Sequence, residues 1–298
     1  MNEVVASEGL VDLPIPVRPL EPSVLAARVE ALIAEGDAPL GVAYSGGVDS
    51  SVLLALAVRA LGVDQVVAFM AVSELLPQRE YELAIAQALD LGVQVVELVT
   101  SELEDPNFVR NDVNRCYACK AGMFAQVDVS VAREYGLRAL AFGENADDRG
   151  RVDRPGARAA DEAGVLRPLA DAGLRKADVR AVARWLGLPS ADKPAAPCLA
   201  SRIPHGEEVT SSKLAAIEAL EDALWAVGVS DCRVRHHGDV ARIEVPVRDF
   251  ALFAGEGADG AQARAVIMEA AHQAGFKHAV LDLAGLQSGA FTMNALGT

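Results

Sequence analysis

Apolar residues recur at helical spacing over residues 23–33, and the unbroken run Leu40-Gly-Val-Ala-Tyr44 that follows has the length and composition of a buried strand. That run leads directly into Ser45-Gly-Gly-Val-Asp-Ser-Ser51, after which residues 52–61 carry a second helical pattern. The alternation continues with a strand over 65–72, a helix within 78–91 and a strand over 94–98, then an irregular stretch to residue 114. A helix within 117–135, a strand over 138–142, a polar loop and an amphipathic helix over 176–186 come next. Strands alternating with helices predict an α/β fold, a parallel sheet whose right-handed crossovers place helices on both faces.

The period is lost at Lys193-Pro-Ala-Ala-Pro-Cys-Leu-Ala-Ser-Arg-Ile-Pro-His-Gly206, where three prolines interrupt any regular spacing. Beyond it, helices over 211–227 and 260–274 and strands over 231–236, 240–245 and 278–283 describe a small α+β unit, ferredoxin-like in outline. The expected organisation is a flexible leader over 1–22, marked by Pro14, Pro16, Pro19 and Pro22, an α/β domain over 23–197, and a smaller domain over 198–298.

Of the 298 residues, 51% are hydrophobic and 23% charged, so a globular chain with a sizeable core is expected. The formal net charge of −15 disfavours a general grip on nucleic acid or an anionic membrane, and any anionic ligand therefore needs a local basic site. No apolar run approaches the ~20 residues of a membrane span, and the first residues lack the basic-then-apolar order of a signal peptide, which points to the cytoplasm. Four cysteines are too few for a disulfide scaffold.

Ser45-Gly-Gly-Val-Asp-Ser-Ser51 sits where a strand hands over to a helix, so backbone N–H groups and the positive helix end surround one concavity that suits phosphate. Gly46 and Gly47 let the backbone approach closely, Ser45, Ser50 and Ser51 add hydroxyls, and Asp49 would repel phosphate unless Mg²⁺ bridges them. The lysine of a Walker A loop is absent; the competing reading is a plain serine or aspartate helix cap. A second loop, Phe142-Gly-Glu-Asn-Ala-Asp-Asp-Arg-Gly-Arg-Val-Asp-Arg-Pro-Gly156, follows a strand at the same predicted sheet edge, where open α/β sheets bind ligands. Asp147 and Asp148 are candidate metal or ribose ligands there and Arg154 a candidate for a phosphate or carboxylate, against a simple solvated loop.

Cys116 and Cys119 form Arg-Cys-Tyr-Ala-Cys-Lys at a helix start, and Cys198 lies in the proline-rich junction. A CxxC pair is open to redox, metal or accidental readings, and three thiolates suit a 4Fe-4S cluster with one open iron. Arg115, Lys120 and Arg202 are expected to lower the thiol pKa values and attract an anion, whereas Cys232 reads as core. Arg233 and Arg235 alternate on a strand and so share a face, where they could clamp a phosphate with Glu221 and Arg202 as companions; an exposed charged face is the alternative.

The Ser-Gly-Gly-Val-Asp-Ser-Ser loop resembles that of the PP-loop ATP pyrophosphatases, whose fold is adenine nucleotide α-hydrolase-like. The Arg-Cys-Tyr-Ala-Cys-Lys stretch, the 142–156 loop, Lys176-x-x-Val179-Arg180, Pro197-Cys-Leu-Ala-Ser-Arg202-x-Pro204 and Arg233-Val-Arg-x-His237-Gly-Asp-x-Ala-Arg-Ile-Glu244 extend the likeness. Together they resemble the LarE-type sulfur transferases that build the nickel-pincer nucleotide of lactate racemase. The resemblance implies that ATP, with Mg²⁺, adenylates a carboxylate of pyridinium-3,5-biscarboxylic acid mononucleotide and that a sulfur nucleophile then displaces AMP, twice over. Members with one cysteine, at the place of Cys198, sacrifice its sulfur; members with three are expected to hold a 4Fe-4S cluster on the residues matching Cys116, Cys119 and Cys198. Catalytic roles for Cys198 and Asp49, ATP contacts from Ser45 to Ser51 with Asp148, and substrate contacts from Lys120, Arg154, Arg202, Glu221, Arg233 and Arg235 follow from the same likeness. So do a homo-oligomer, a hexamer in the family, and a downstream nickel-inserting partner. The competing readings are a PP-loop tRNA thiolation enzyme, which the acidic balance opposes, an amidotransferase lacking its glutaminase, and a non-catalytic nucleotide sensor.

Overall fold

The computed structural model describes residues 20–36, 38–127, 129–149, 156–254 and 258–287. Most of the expected leader lies outside them, and at its end Pro22 already opens helix α1 (Pro22–Ala34), where its fixed φ suits the first helical position. Strand β1 (Leu40–Ala43) is buried at every position and feeds α2 (Val48–Leu61); β2 (Val66–Val72), α3 (Gln78–Asp90) and β3 (Gln94–Val99) follow. The short α4 (Pro106–Val109) then precedes α5 (Arg115–Gln126), α6 (Val129–Glu134) and β4 (Ala139–Phe142). The single helix expected within 117–135 is thus two, because the chain leaves helical geometry at Val127, where ψ is 55°. Helices α7 (Gly156–Glu162), α8 (Pro168–Asp171) and α9 (Lys176–Trp185) complete this part.

The four strands form one parallel sheet in the order β3-β2-β1-β4. The chain runs outward from β1 through β2 to β3 and then returns to the opposite side of β1 as β4. The order therefore reverses at β1, and a crevice opens beyond the carboxyl ends of β1 and β4, where ligands of open α/β sheets bind. Helix α2 fills the space against the sheet: Val52, Leu53, Leu54, Leu56 and Ala57 are fully buried, and α1 and α9 pack beside it. Burial on nearly every side explains why its apolar pattern is continuous rather than striped.

The remaining chain forms α10 (Ser211–Ala226), β5 (Arg233–His237), β6 (Val240–Glu244), α11 (Ala251–Ala254), α12 (Ala258–Gln273) and β7 (His278–Leu281). Its sheet has the order β5-β6-β7, antiparallel then parallel. Among the described residues this is one strand short of the four-stranded ferredoxin-like outline. Ile217, Leu220, Leu224, Val234 and Ile243 form its core, and Leu75 and Phe108, from the first half of the chain, pack into it. The two halves therefore share a hydrophobic seam. No helix among the described residues is long and apolar enough to cross a membrane.

Candidate active site

The loop after β1 is shaped by two close approaches. Gly46 has φ +68°, and a Cβ there would stand 2.4 Å from the Cβ of Ala84 on α3. Tyr44 Oη donates to the carbonyl of the same Ala84 at 2.9 Å, so α3 fixes the loop from beneath. Across the crevice, a Cβ on Gly143, the first residue after β4, would lie 2.7 Å from Ser50 N and 2.8 Å from Ser50 Cα. Only glycine permits this approach, which makes one wall from the two polar loops.

Gly47 is the N-cap of α2, and no side chain caps that helix. The plain-cap reading of the serines therefore does not hold. Ser50 Oγ instead donates to Gly47 O at 3.1 Å and lies 3.2 Å from both Ser45 N and Ser45 Oγ, locking the turn. The amides of the first helical turn lack intrahelical acceptors and carry the positive end of the helix dipole, an arrangement fitted to phosphate.

Acidic side chains stand beside these amides. Asn145 Nδ2 donates to Asp148 Oδ2 at 2.7 Å and lies 3.4 Å from Asp49 Oδ1, so one amide bridges the two carboxylates. The Lys176 ammonium approaches Asp49 Oδ2 to 2.5 Å. Lys176 is held there because its helix end is doubly secured: Asp178 accepts from Arg175 N at 3.0 Å, and Asp147 accepts from Lys176 N at 2.9 Å. Carboxylates at a helix N-terminus are favoured by its dipole. The glycine cradle and the Asp49–Asp148 pair fit a Mg²⁺-nucleotide. Arg154 lies outside the described residues.

Cys116, Cys119 and Cys198 come from α5 and the proline-rich junction, and both segments stand at the carboxyl edge of the sheet. Leu199 N donates to Leu75 O, beyond β2, at 2.9 Å, and the Cys119 thiol points to Glu102 Oε1, beyond β3, at 3.6 Å. Cys119 and Cys198 both pack against the hydrophobic core of the second half, and Cys116, one turn before Cys119 on α5, is exposed. Among the described residues no three His, Cys, Asp or Glu side chains gather as ligands of a single metal ion. A cluster makes a different demand, since each thiolate binds its own iron, and Cys116, Cys119 and Cys198 are the donors that would meet it. The expectation of lowered thiol pKa values is corrected. Burial pushes the Cys119 thiol up, and it also pushes Cys198 up despite the opposing charges of Arg115 and Arg202. Lys120 lies over the Phe142 ring, 3.7 Å from its centre.

The arginine cluster also assembles, though by burial. Arg202 forms a fork with Glu221, Nε to Oε1 at 2.9 Å and Nη2 to Oε2 at 3.0 Å, and Glu221 Oε1 accepts from Val234 N at 2.9 Å. Arg202 Nη1 also reaches the carbonyls of Pro197 and Cys198. Arg233 pairs with Asp231 at 2.7 Å, and Arg235 makes a two-pronged bridge to the buried Glu244 at 3.1 and 2.8 Å. The exposed strand face is thus excluded. A cavity of about 320 Å³ between the two halves is lined by Gly46, Lys193, Arg202, Glu221, Cys232 and Arg233 among others. It joins the nucleotide loop to the arginine cluster.

Sequence reasoning passed over Gly143 and Asn145, and it did not pair Lys176 with Asp49. Gly143 carried a signal akin to that of Gly46, a glycine in the loop that follows a strand at this edge.

An open parallel sheet with this loop at its reversal point defines a PP-loop nucleotide enzyme. Residues 26–110 match the family model described as NAD synthase. The chain is 34% identical to pyridinium-3,5-bisthiocarboxylic acid mononucleotide synthase of Lactiplantibacillus plantarum, over 83% of this chain and 87% of that protein. It is 39% identical to an uncharacterized protein of Synechocystis, over 83% of this chain and 90% of the relative. Argininosuccinate synthase of a Synechococcus strain is 32% identical over 50% of this chain and 40% of its own length. The chain belongs to the LarE-type sulfur transferase family of PP-loop enzymes.

Proposed function

We propose that the protein uses ATP to convert the carboxylates of pyridinium-3,5-biscarboxylic acid mononucleotide to thiocarboxylates. ATP would be held by Ser45–Ser51 and the first-turn amides of α2, and Asp49 and Asp148 would hold a Mg²⁺ that offsets phosphate charge. A substrate carboxylate oxygen attacks the α-phosphorus, pyrophosphate leaves, and an acyl adenylate results. An anionic sulfur then attacks the acyl carbon, the C–O bond to AMP breaks, and a thiocarboxylate and AMP depart. Adenylation is needed because a carboxylate is a poor electrophile until its oxygen becomes part of a leaving group.

The observation that carries this reading is that the glycine-walled loop after β1 and the two segments bearing Cys116, Cys119 and Cys198 stand at the same carboxyl edge of the sheet. Cys116, Cys119 and Cys198 would hold a 4Fe-4S cluster, which supplies an open iron able to carry sulfide. Lys120, Arg154, Arg202, Glu221, Arg233 and Arg235 are assigned to the anionic substrate. Of these, Arg202, Glu221 and Arg233 line the cavity, and Arg233, paired on its other side with Asp231, is the cation assigned to the substrate phosphate. Arg235 lies one pleat further along β5, with its charge matched by Glu244. A homo-oligomer and a nickel-inserting partner that takes the product belong to the same reading.

Anaerobic purification with iron and sulfide analysis, followed by turnover with the mononucleotide, ATP and sulfide, tests it. Pyrophosphate release that requires the mononucleotide, several products per chain and an unchanged intact mass are expected. Release indifferent to the mononucleotide overturns the substrate. Conversion of Cys198 to dehydroalanine after one turnover overturns the cluster in favour of a sacrificed cysteine.

A further inference from the structure

The segment leading into α5 is tied to the junction that carries Cys198 largely through one side chain. Asn111 is fully buried, and its φ of 56° lies in the left-handed region, which asparagine enters more readily than most residues. Its Nδ2 donates to the carbonyls of Pro204 at 2.8 Å and Glu207 at 2.9 Å, with Ile203 O at 3.3 Å. Its Oδ1 accepts from Arg115 Nη1 at 2.5 Å, and the same Nη1 donates to Ala200 O at 2.8 Å. Its own carbonyl accepts from Gly206 N at 3.1 Å.

Arg115 directly precedes Cys116, and Ala200 is two residues beyond Cys198. The segments on both sides are irregular, so their backbone carbonyls have no ladder to satisfy them, and a buried amide with two donors meets that need. A carboxylate could not, having acceptors only. Arg115 is itself buried, and its Nε–H has no hydrogen-bond partner among the described residues. A buried guanidinium with a donor left over, next to both cysteine-bearing segments, is suited to an anionic sulfur rather than to packing alone.

We propose that Asn111, through Arg115, is a positioning residue for the sulfur centre, holding the Cys116–Cys119 turn and Cys198 at the separation that lets their thiols act on one group. The proposal rests on the reading of the three thiols as one centre, and it can fail while that reading stands.

The test uses reduced, metal-free full-length protein carrying Cys232→Ala and the bifunctional thiol reagent dibromobimane, with peptide mapping of the bridged pairs. The Cys232→Ala protein is expected to form bridges between Cys198 and the α5 thiols. Asn111→Gly keeps the left-handed backbone and deletes the amide, and should lower the bridging rate about tenfold, which corresponds to about 1.4 kcal/mol. Single-thiol labelling by monobromobimane and the cooperativity of unfolding should not change. Asn111→Asp keeps the acceptor for Arg115 but loses the donors, and should fall between the two. Equal bridging in all three proteins overturns the role of Asn111 alone, whereas no bridging in the Cys232→Ala protein overturns the common centre. Loss of cooperative unfolding in both Asn111 variants would make the residue a general element of the fold and would also overturn the proposal.

Discussion

The carboxylate of Asp49 stands 2.5 Å from the ammonium of Lys176, joining the first turn of α2 to the first residue of α9. Lys176 is substantially exposed, and ion pairs of this kind contribute only about 0–1 kcal/mol to stability. The contact therefore matters chiefly for the loop, beside which it sets a cation where a Walker A lysine is absent. Asp49→Asn should leave the melting temperature nearly unchanged and abolish Mg²⁺-dependent pyrophosphate release. Lys176→Ala should weaken ATP binding in calorimetry and keep the fold. Undiminished pyrophosphate release by folded Asp49→Asn would remove Asp49 from the site.

Gly143 tests the wall between the two loops. A methyl group there meets the backbone of Asp49 and Ser50 at 2.7–2.9 Å, atoms that cannot turn aside as a side-chain tip can. Gly143→Ala should therefore cost about 1–3 kcal/mol and misplace the phosphate-binding amides. Gly122→Ala is the control. Its added Cβ meets nothing within 4 Å and it lies inside α5, so it should gain about 0.5–1 kcal/mol in urea unfolding with nucleotide binding unaffected.

The fork between Arg235 and Glu244 is buried, with Glu244 wholly inaccessible. Removing one partner of such a pair leaves an uncompensated charge and costs about 3–5 kcal/mol. Arg242, 3.2 Å from Glu244, should hold the loss for Arg235→Met towards the lower end. Combining it with Glu244→Gln should recover part of that loss. Denaturant titrations of the single and double variants give the answer, and a stable Arg235→Met protein defective only in substrate affinity would leave Arg235 its role at the substrate and none in the fold.

His236 stacks against Phe276, and burial, with Lys213 adding to it, holds its pKa below the ordinary 6.5. A histidine kept neutral in the fold binds more protons when unfolded, so its contribution is present above pH 6.5 and is lost as pH falls through its folded pKa. Melting temperatures should decline as the pH falls from 6.5 to that lower pKa. His236→Phe should flatten the decline, and an unchanged pH slope would assign the acid sensitivity elsewhere, for example to His237, whose pKa is also lowered.

The amino-acid order by itself determined nearly every element of both sheets, because apolar spacing is set locally by helix and strand periods and survives whatever packs around it. It also made the nucleotide loop legible, since Ser45 to Ser51 are contiguous and their glycines, hydroxyls and helix start are read in one stretch. Where local spacing carried no information, only the tertiary structure decided. The break at Val127 left no mark on the apolar pattern. The charge alternation of Arg233 and Arg235 looked the same whether the strand faced solvent or was buried, and burial turned both into internally paired groups. Thiol acidity followed the same logic: the cationic neighbours of Cys198 were visible in sequence, but the desolvation that outweighs them depends on everything packed around the thiol. Gly143 against Ser50, Lys176 on Asp49 and Asn111 across the cysteine segments are contacts between residues far apart in the chain, and only chain folding brings such groups within a few ångströms.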